Sequence, residues 1–322
     1  MNGMQDFLKT CPYSRELRHI WHFSRKLQYQ RVFRYIYYRF WLNPKLRRLP
    51  HPIGKPVTTK AYTLHMLCSH VDLCQLLWAL ASWYHVTFNS PQVYIHDDGT
   101  LTPRDVRIIK KLFPEAEVID AHVVTQYAMQ TWLSEFPRTR AIRTHGTNQS
   151  ACLAYPCAIK LIDPYFISPA KCVLVLDTDV LWFKPPEELE QALFHYTLPV
   201  FWRDLRPSSY TLQHGELLKQ DVLYCNSGVV GYRKEDFDLC ILEEYLRKRG
   251  DIDEPTWGFA DQPAYAYVLG ANRMVSLLPG AQYAMQGEIT EATVAFHYTG
   301  PRRAKFWIEG VKFLSKTWAI GS

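Results

Sequence analysis

Asp177-Thr178-Asp179 follows directly on Val173-Leu174-Val175-Leu176. Two carboxylates, one residue apart, therefore stand where an apolar strand ends. Side chains at i and i+2 of an extended chain point the same way. At a strand tip the pair can converge on one hard cation and leave coordination positions open. Magnesium and manganese accept such a site, with a few carboxylate oxygens and the rest from water or phosphate. A cation held this way neutralises charge on a departing diphosphate. Asp236-Phe237-Asp238 and Asp251-Ile252-Asp253 repeat the spacing. Neither follows a buried strand, and they read as helix and turn charges.

The elements that must position this pair alternate along the chain. Apolar runs at 61–68, 92–96, 117–120, 172–176, 199–202 and 228–232 predict strands. Helical spacing predicts helices over 72–84, 103–113 and 237–247, with Leu73, Leu76, Leu77, Leu80, Ala81 and Tyr84 recurring through the first. A further helix spans 151–166, interrupted by Pro156. Strands joined by crossover helices predict an α/β fold: a Rossmann-like mixed, mostly parallel sheet with helices on both faces. Ligands of such sheets bind outside the carboxyl ends of the strands, which is where Asp177 and Asp179 fall.

The 48% hydrophobic and 21% charged composition excludes a disordered chain. The 8 cysteines form no C-x-x-C pair, and the reading is buried reduced thiols in a cytoplasmic protein. No stretch has the length of a signal peptide core or a membrane span. The net charge of +6 is concentrated at one end, where residues 1–60 hold 13 Lys and Arg against 2 acidic residues. Between 14 and 49, Trp21, Phe23, Phe33, Tyr35, Tyr37, Tyr38, Phe40 and Trp41 alternate with Arg and Lys. A basic aromatic helix suits an anionic membrane surface; packing against the main domain is the other reading. No nucleic-acid motif accompanies it, and nucleic acid is not an expected partner. Pro50, Pro52, Gly54 and Pro56 read as a connector. The expected division is a basic helical extension over 1–56 and the main domain over 57–322.

Four ordered blocks over residues 60–310 resemble the family 8 glycosyltransferases, the group of glycogenin and the bacterial lipopolysaccharide galactosyltransferases. Ala158-Ile159-Lys160-Leu161 precedes the strand that ends at Asp177-Thr178-Asp179. Tyr224-Cys225-Asn226-Ser227-Gly228 is similar to the family's Asn-(Ala/Ser)-Gly strand. Asp261-Gln262 is similar to its Asp-Gln pair, although Asp261 also suits a helix N-cap ahead of Pro263. Phe296-His297-Tyr298-Thr299-Gly300 leads to Arg302-Arg303-Ala304-Lys305-Phe306-Trp307. Here the chain departs from the family's His-x-x-Gly…Lys-Pro-Trp, because the basic stretch is longer and Phe306 replaces Pro.

The resemblance implies a GT-A type fold and a Mn2+ or Mg2+ ion on Asp177, Asp179 and His297. It implies donor contacts from Lys160, Asn226, Ser227, Gly228 and Gly300, with Arg303 or Lys305 on the diphosphate. Leu67 and Ser69 are nucleotide-pocket candidates by position after the first strand. The implied reaction transfers a hexose from a UDP-sugar with retention. Asp261 or Gln262 then stands below the anomeric carbon, unless the acceptor attacks on the leaving-group face. The acceptor is a saccharide, lipid-linked or protein group, and residues 203–220, with Trp202, Tyr210 and His214, are its candidate pocket. A catalytically silent nucleotide-sugar or carbohydrate-binding module on the same scaffold is the alternative. A haloacid-dehalogenase-type phosphatase is disfavoured by Leu181 and Trp182 after the aspartates. A sugar-nucleotide pyrophosphorylase is disfavoured by Leu67-Cys68-Ser69-His70, which has no glycine.

Overall fold

The computed structural model describes residues 52–147, 156–207, 220–249, 261–271 and 273–318, with 17, 20, 29–42 and 45–46 nearer the N-terminus. It divides into two compact units, His51–His297 and Met1–Pro50 with Tyr298–Ser322.

The larger unit is built on strands β1 (Tyr62–Cys68), β2 (Gln92–Asp97), β3 (Glu117–Ile119) and β4 (Cys172–Leu176). Between them run helices α1 (Leu73–Val86), α2 (Pro103–Leu112), α3 (Ala121–Gln130), α4 (Pro137–Thr147) and α5 (Cys157–Ile167). After β4 come β5 (Val180–Trp182), α6 (Glu187–Phe194), β6 (Val200–Arg203), β7 (Cys225–Arg233), α7 (Leu239–Arg249), α8 (Asp261–Gly270), β8 (Ser276–Leu277), β9 (Tyr283–Ala284) and β10 (Ala295–His297). Among the described residues, one sheet has the order β3-β2-β1-β4-β7-β6-β8. β7 runs antiparallel to both β4 and β6, and every other pairing in that sheet is parallel. This is the expected mixed, mostly parallel sheet flanked by helices.

Strand order reverses between β1 and β4, since β2 and β3 stack outward on one side of β1 and β4 lies on the other. A crevice opens at such a switch point. All five residues of β4 are buried, as expected for a strand covered on both faces. Each buried Val or Leu contributes roughly 1.5–3 kcal/mol, which anchors the strand whose tip carries Asp177.

The predicted strand over 228–232 is longer, Cys225–Arg233, and takes in Asn226 and Ser227. The helix predicted from 151 is Cys157–Ile167, and residues 151–155 and 250–260 lie outside the described ones. A second sheet, order β5-β10-β9, had no expectation, because two- and three-residue strands are too short to show a period. Helices α3 and α4 also lacked one: their apolar residues form no clear stripe.

In the smaller unit, helix Tyr29–Ile36 continues into the wider-turned helix Tyr37–Leu42. Tyr35, Leu42 and Leu46 are buried, and the Arg39 guanidinium lies 5.1 Å from the centre of the Trp307 ring. Phe33, Tyr37 and Phe40 are exposed on the face away from Tyr35, with Ile36 and Trp41 beside them. No helix among the described residues is long and apolar enough to cross a membrane. No disulfide joins Cys68, Cys74, Cys157, Cys172, Cys225 or Cys240.

Candidate functional site

The tip of β4 is held by a hydrogen bond from Asp177 N–H to the Gly228 carbonyl, 2.9 Å, across the antiparallel β4–β7 pair. A tight turn then carries the chain through Thr178 and Asp179 into β5, with Val180 N–H donating to the Asp177 carbonyl at 3.3 Å. β5 pairs with β10 so that Val180 sits opposite His297. That register brings a histidine from near the end of the unit to two aspartates 118 and 120 positions earlier.

His297 Nε2 stands 3.1 Å from an Asp179 oxygen and 3.8 Å from an Asp177 oxygen. One ligand atom from each of the three lies within 4.8 Å of the others. Ligands on a six-coordinate magnesium-sized ion are roughly 3–4 Å apart. The His297 ring is buried, and neither of its nitrogens makes a hydrogen bond. A buried imidazole whose nitrogen lies close to two carboxylates without hydrogen-bonding either is arranged as a ligand. Two carboxylates suit magnesium or manganese, and the imidazole beside them favours manganese of the two, so the residues fit the expected cation.

Lys160, on α5, enters from below. Its ammonium is 2.6 Å from Asp177 and 2.9 Å from Asp261, and 3.4 Å from the Ser227 hydroxyl. Burial alone would lower its pKa, but Asp177 and Asp261 outweigh that and hold it well above the ordinary lysine value. Burial raises the Asp177 carboxyl, with the Lys160 charge opposing. Asp177 and Asp261 thus flank one ammonium while Asp179 adds a third carboxylate beside His297, and a dication would offset the excess negative charge.

Behind the cluster, the Ser227 hydroxyl donates to Asp261 at 2.8 Å. The Asn226 side-chain amide donates to Gln262 at 3.1 Å and to Asp204 at 3.2 Å. Gln262 in turn donates to Asp204 at 3.3 Å. Gly228 matters for what it lacks: a Cβ there would fall 2.3 Å from His297 Cε1. The absence of a side chain on β7 is what lets the imidazole lie against the strand.

The structure therefore brings together Lys160, Asp177, Asp179, Asn226, Ser227, Gly228, Asp261, Gln262 and His297. Leu67 and Ser69 lie at the carboxyl end of β1, the other lip of the switch-point crevice; Ser69 caps a short helical turn through Asp72. Asp261 is the first residue of α8. Gly300, Arg303 and Lys305 belong to the smaller unit; Gly300 has φ +57°, and Lys305 pairs with Glu309 at 3.2 Å. Trp202 is fully buried, its ring 5.6 Å from that of His297; it packs behind the site and is no exposed sugar platform. Tyr210 and His214 lie outside the described residues.

No family profile and no curated protein matches the chain by sequence. Solved structures match it by shape. The galactosyltransferase LgtC, solved with donor and acceptor sugar analogues, aligns with a TM-score of 0.54 at 16% identity, covering 79% of this chain and 95% of that one. This is a GT-A glycosyltransferase fold. Mouse xyloside xylosyltransferase 1 aligns at 0.50 and 15% identity, covering 74% of this chain and 97% of that one. The bifunctional glycosyltransferase WbbM aligns at 0.51 and 13% identity, covering 76% and 47%.

Within this GT-A fold, Asp204 falls in the 203–220 stretch expected at the acceptor pocket, but sequence reasoning did not single it out. It lies just past β6, and its N–H donates to the Tyr224 carbonyl at 2.7 Å. A single aspartate after an apolar run carries no signal of its own. Only the pairing of β6 with β7, bulged between Phe201 and Trp202, sets it beside Asn226.

Proposed function

We propose that this chain is a metal-dependent hexosyltransferase that takes a UDP-sugar as donor and passes the hexose to an acceptor with retention of anomeric configuration. The observation that carries the reading is the convergence of Asp177, Asp179 and His297 at the switch point of a GT-A fold. Those three residues would hold Mn2+ or Mg2+. When bound, the ion supplies charge neutralisation for the diphosphate leaving group.

The protein's own groups do the rest. Lys160, held between Asp177 and Asp261, presents fixed positive charge beside the leaving group, a preorganised electrostatic contribution. Asn226, Ser227 and Asp261 offer hydrogen-bonding groups to donor-sugar hydroxyls, and Gly228 leaves room for His297. Gln262, tied to Asn226 and Asp204, stands as the polar group nearest the reacting face. Asp261 already bonds Lys160 and Ser227, which favours same-face attack by the acceptor over a covalent intermediate on Asp261.

A panel of UDP-sugars tested with the full chain and Mn2+ is expected to show slow UDP release from one hexose donor, abolished by EDTA and restored by Mn2+. Tight UDP binding by calorimetry, with no release from any donor, would favour the silent binding module.

The smaller unit extends the reading to location. A face in water is normally polar, and clustered exposed apolar rings mark an interaction surface. Phe33 and Trp41 are each 72% exposed, with Tyr37, Phe40 and Ile36 between them and Arg31 and Arg34 alongside. Rings at headgroup depth and guanidiniums on lipid phosphates suit peripheral attachment to an anionic, cytoplasmic membrane face. The protein is expected to co-sediment with phosphatidylglycerol vesicles but not phosphatidylcholine. Phe33→Ser with Trp41→Ser should weaken that binding at least about tenfold. Unchanged sedimentation of the double variant would reject this surface.

A further inference from the structure

Lys160 is gripped at two points by one helix, and the second point answers a defect in its own. α5 contains Pro164. Proline has no N–H, so the carbonyl four residues earlier in a helix loses its donor, and that carbonyl is Lys160's. It is buried with its residue, where an unmet polar group is costly. The Tyr265 hydroxyl fills the gap, donating to the Lys160 carbonyl at 2.5 Å. Tyr265 is fully buried on α8, one turn after Asp261. Asp261 holds the Lys160 ammonium at 2.9 Å, so α8 takes the lysine by both backbone and side chain.

We infer that Tyr265 is a positioning residue: its hydroxyl substitutes for the N–H that Pro164 removes, and thereby fixes the Lys160 ammonium between Asp177 and Asp261. Three observations bear on this. The residues flanking Lys160 on α5 are buried, so water cannot easily replace the phenol. Burial raises the Tyr265 phenol well above its ordinary value, so it remains a donor throughout the physiological range. One turn beyond Lys160, Asp163 is held bidentately by the buried Arg143, with one contact at 2.7 Å. That pair braces α5 at the residue just before the proline, and Tyr265 braces it one turn earlier, at Lys160.

The role of Lys160 in turnover rests on the reading above, but its placement does not, and the experiment separates the two. Acetylation of Lys160 by an N-hydroxysuccinimide ester, followed by mass spectrometry, reports placement without any donor. In the wild-type chain Lys160 is 4% exposed and is expected to be protected. Tyr265→Phe should speed its modification at least about tenfold, because the carbonyl is left unmet and the turn loosens. Pro164→Ala in the Tyr265→Phe background restores a backbone N–H at position 164 and should return protection to within about threefold of wild type. Where a donor turns over, kcat should fall and recover in the same order, with KM for the donor little changed.

A Lys160 in Tyr265→Phe as slow to react as in wild type would overturn the inference. So would a double variant as reactive as the single one. Protection that follows the expected order in a chain that turns over no UDP-sugar would leave the inference standing and count against the transferase reading.

Discussion

Asp177→Ala is expected to abolish Mn2+-dependent donor turnover, by on the order of a thousandfold or more, while the domain remains folded. Losing a hydrogen-bond partner of a metal ligand costs about 10–100-fold in affinity or activity, and losing the ligand itself should exceed that. The effect on the fold should be small for a definite reason. Asp177 is partly exposed, and Lys160 keeps its contact with Asp261 at 2.9 Å, so no buried ammonium is left without a carboxylate. Asp177→Asn is the companion variant. It retains one oxygen and the side-chain volume, but loses the charge that opposes both a cation and Lys160, and should resemble alanine in turnover. Asp236→Ala serves as control, because its Asp-x-Asp lies at a short helical turn where it pairs with Arg273. UDP release at saturating Mn2+, with thermal midpoints, checks all three. An Asp177→Ala enzyme with a tenth or more of wild-type turnover would remove the basis of the assignment.

The contrast between the two aspartate pairs shows what could be read from the chain alone. Asp177-Thr178-Asp179 stands out because five apolar residues precede it, and a buried strand has to end somewhere. Period and hydrophobicity are local, so β1, β2, β4 and α1 were all recognisable to within a residue or two. Strand direction is not a local property. β7 looks like any buried strand in sequence, yet runs against its neighbours, and this turns Asn226 and Ser227 toward the same end of the sheet as Asp177.

His297 is an intermediate case. The resemblance brought it to attention, but its partner is set by the β5–β10 register, and β5 is only three residues long. Asp204, inside the 203–220 stretch, and Tyr265 gave no signal of their own. Each acts on a group 22 or more positions away, and the reason a phenol is needed at 265 is a proline at 164. The buried pair His65–His96, with nitrogens 2.9 Å apart, is similar: nothing beside either histidine in the sequence points to the other. Only adjacent parallel strands show that they share a hydrogen bond. Burial lowers both, His96 to about 3, so the pair stays neutral in the sheet.

Gly228→Ala tests the site from the side where nothing reacts. The glycine has ordinary strand geometry, so the backbone tolerates alanine. The conflict is with the imidazole, since the new methyl would lie 2.3 Å from His297 Cε1 and 2.5 Å from Nδ1. Both atoms belong to a side chain that can rotate, whereas β7 is tied on both flanks by β4 and β6. The ring is therefore the part that moves, and it leaves the position that sets its Nε2 3.1 Å from Asp179. Mn2+ affinity by calorimetry should fall about 10–100-fold, and overpacking should cost roughly 1–3 kcal/mol of stability. A double-mutant cycle identifies the cause. In a His297→Ala background no ring opposes the methyl, so Gly228→Ala should add little further loss of either affinity or stability, a coupling above the few tenths of a kcal/mol seen between independent sites. If the losses add in full, the alanine is harming the strand and not the histidine. If Gly228→Ala binds Mn2+ as tightly as wild type, the reading of His297 as a ligand fails, and any cation at the tip of β4 would rest on the two aspartates alone.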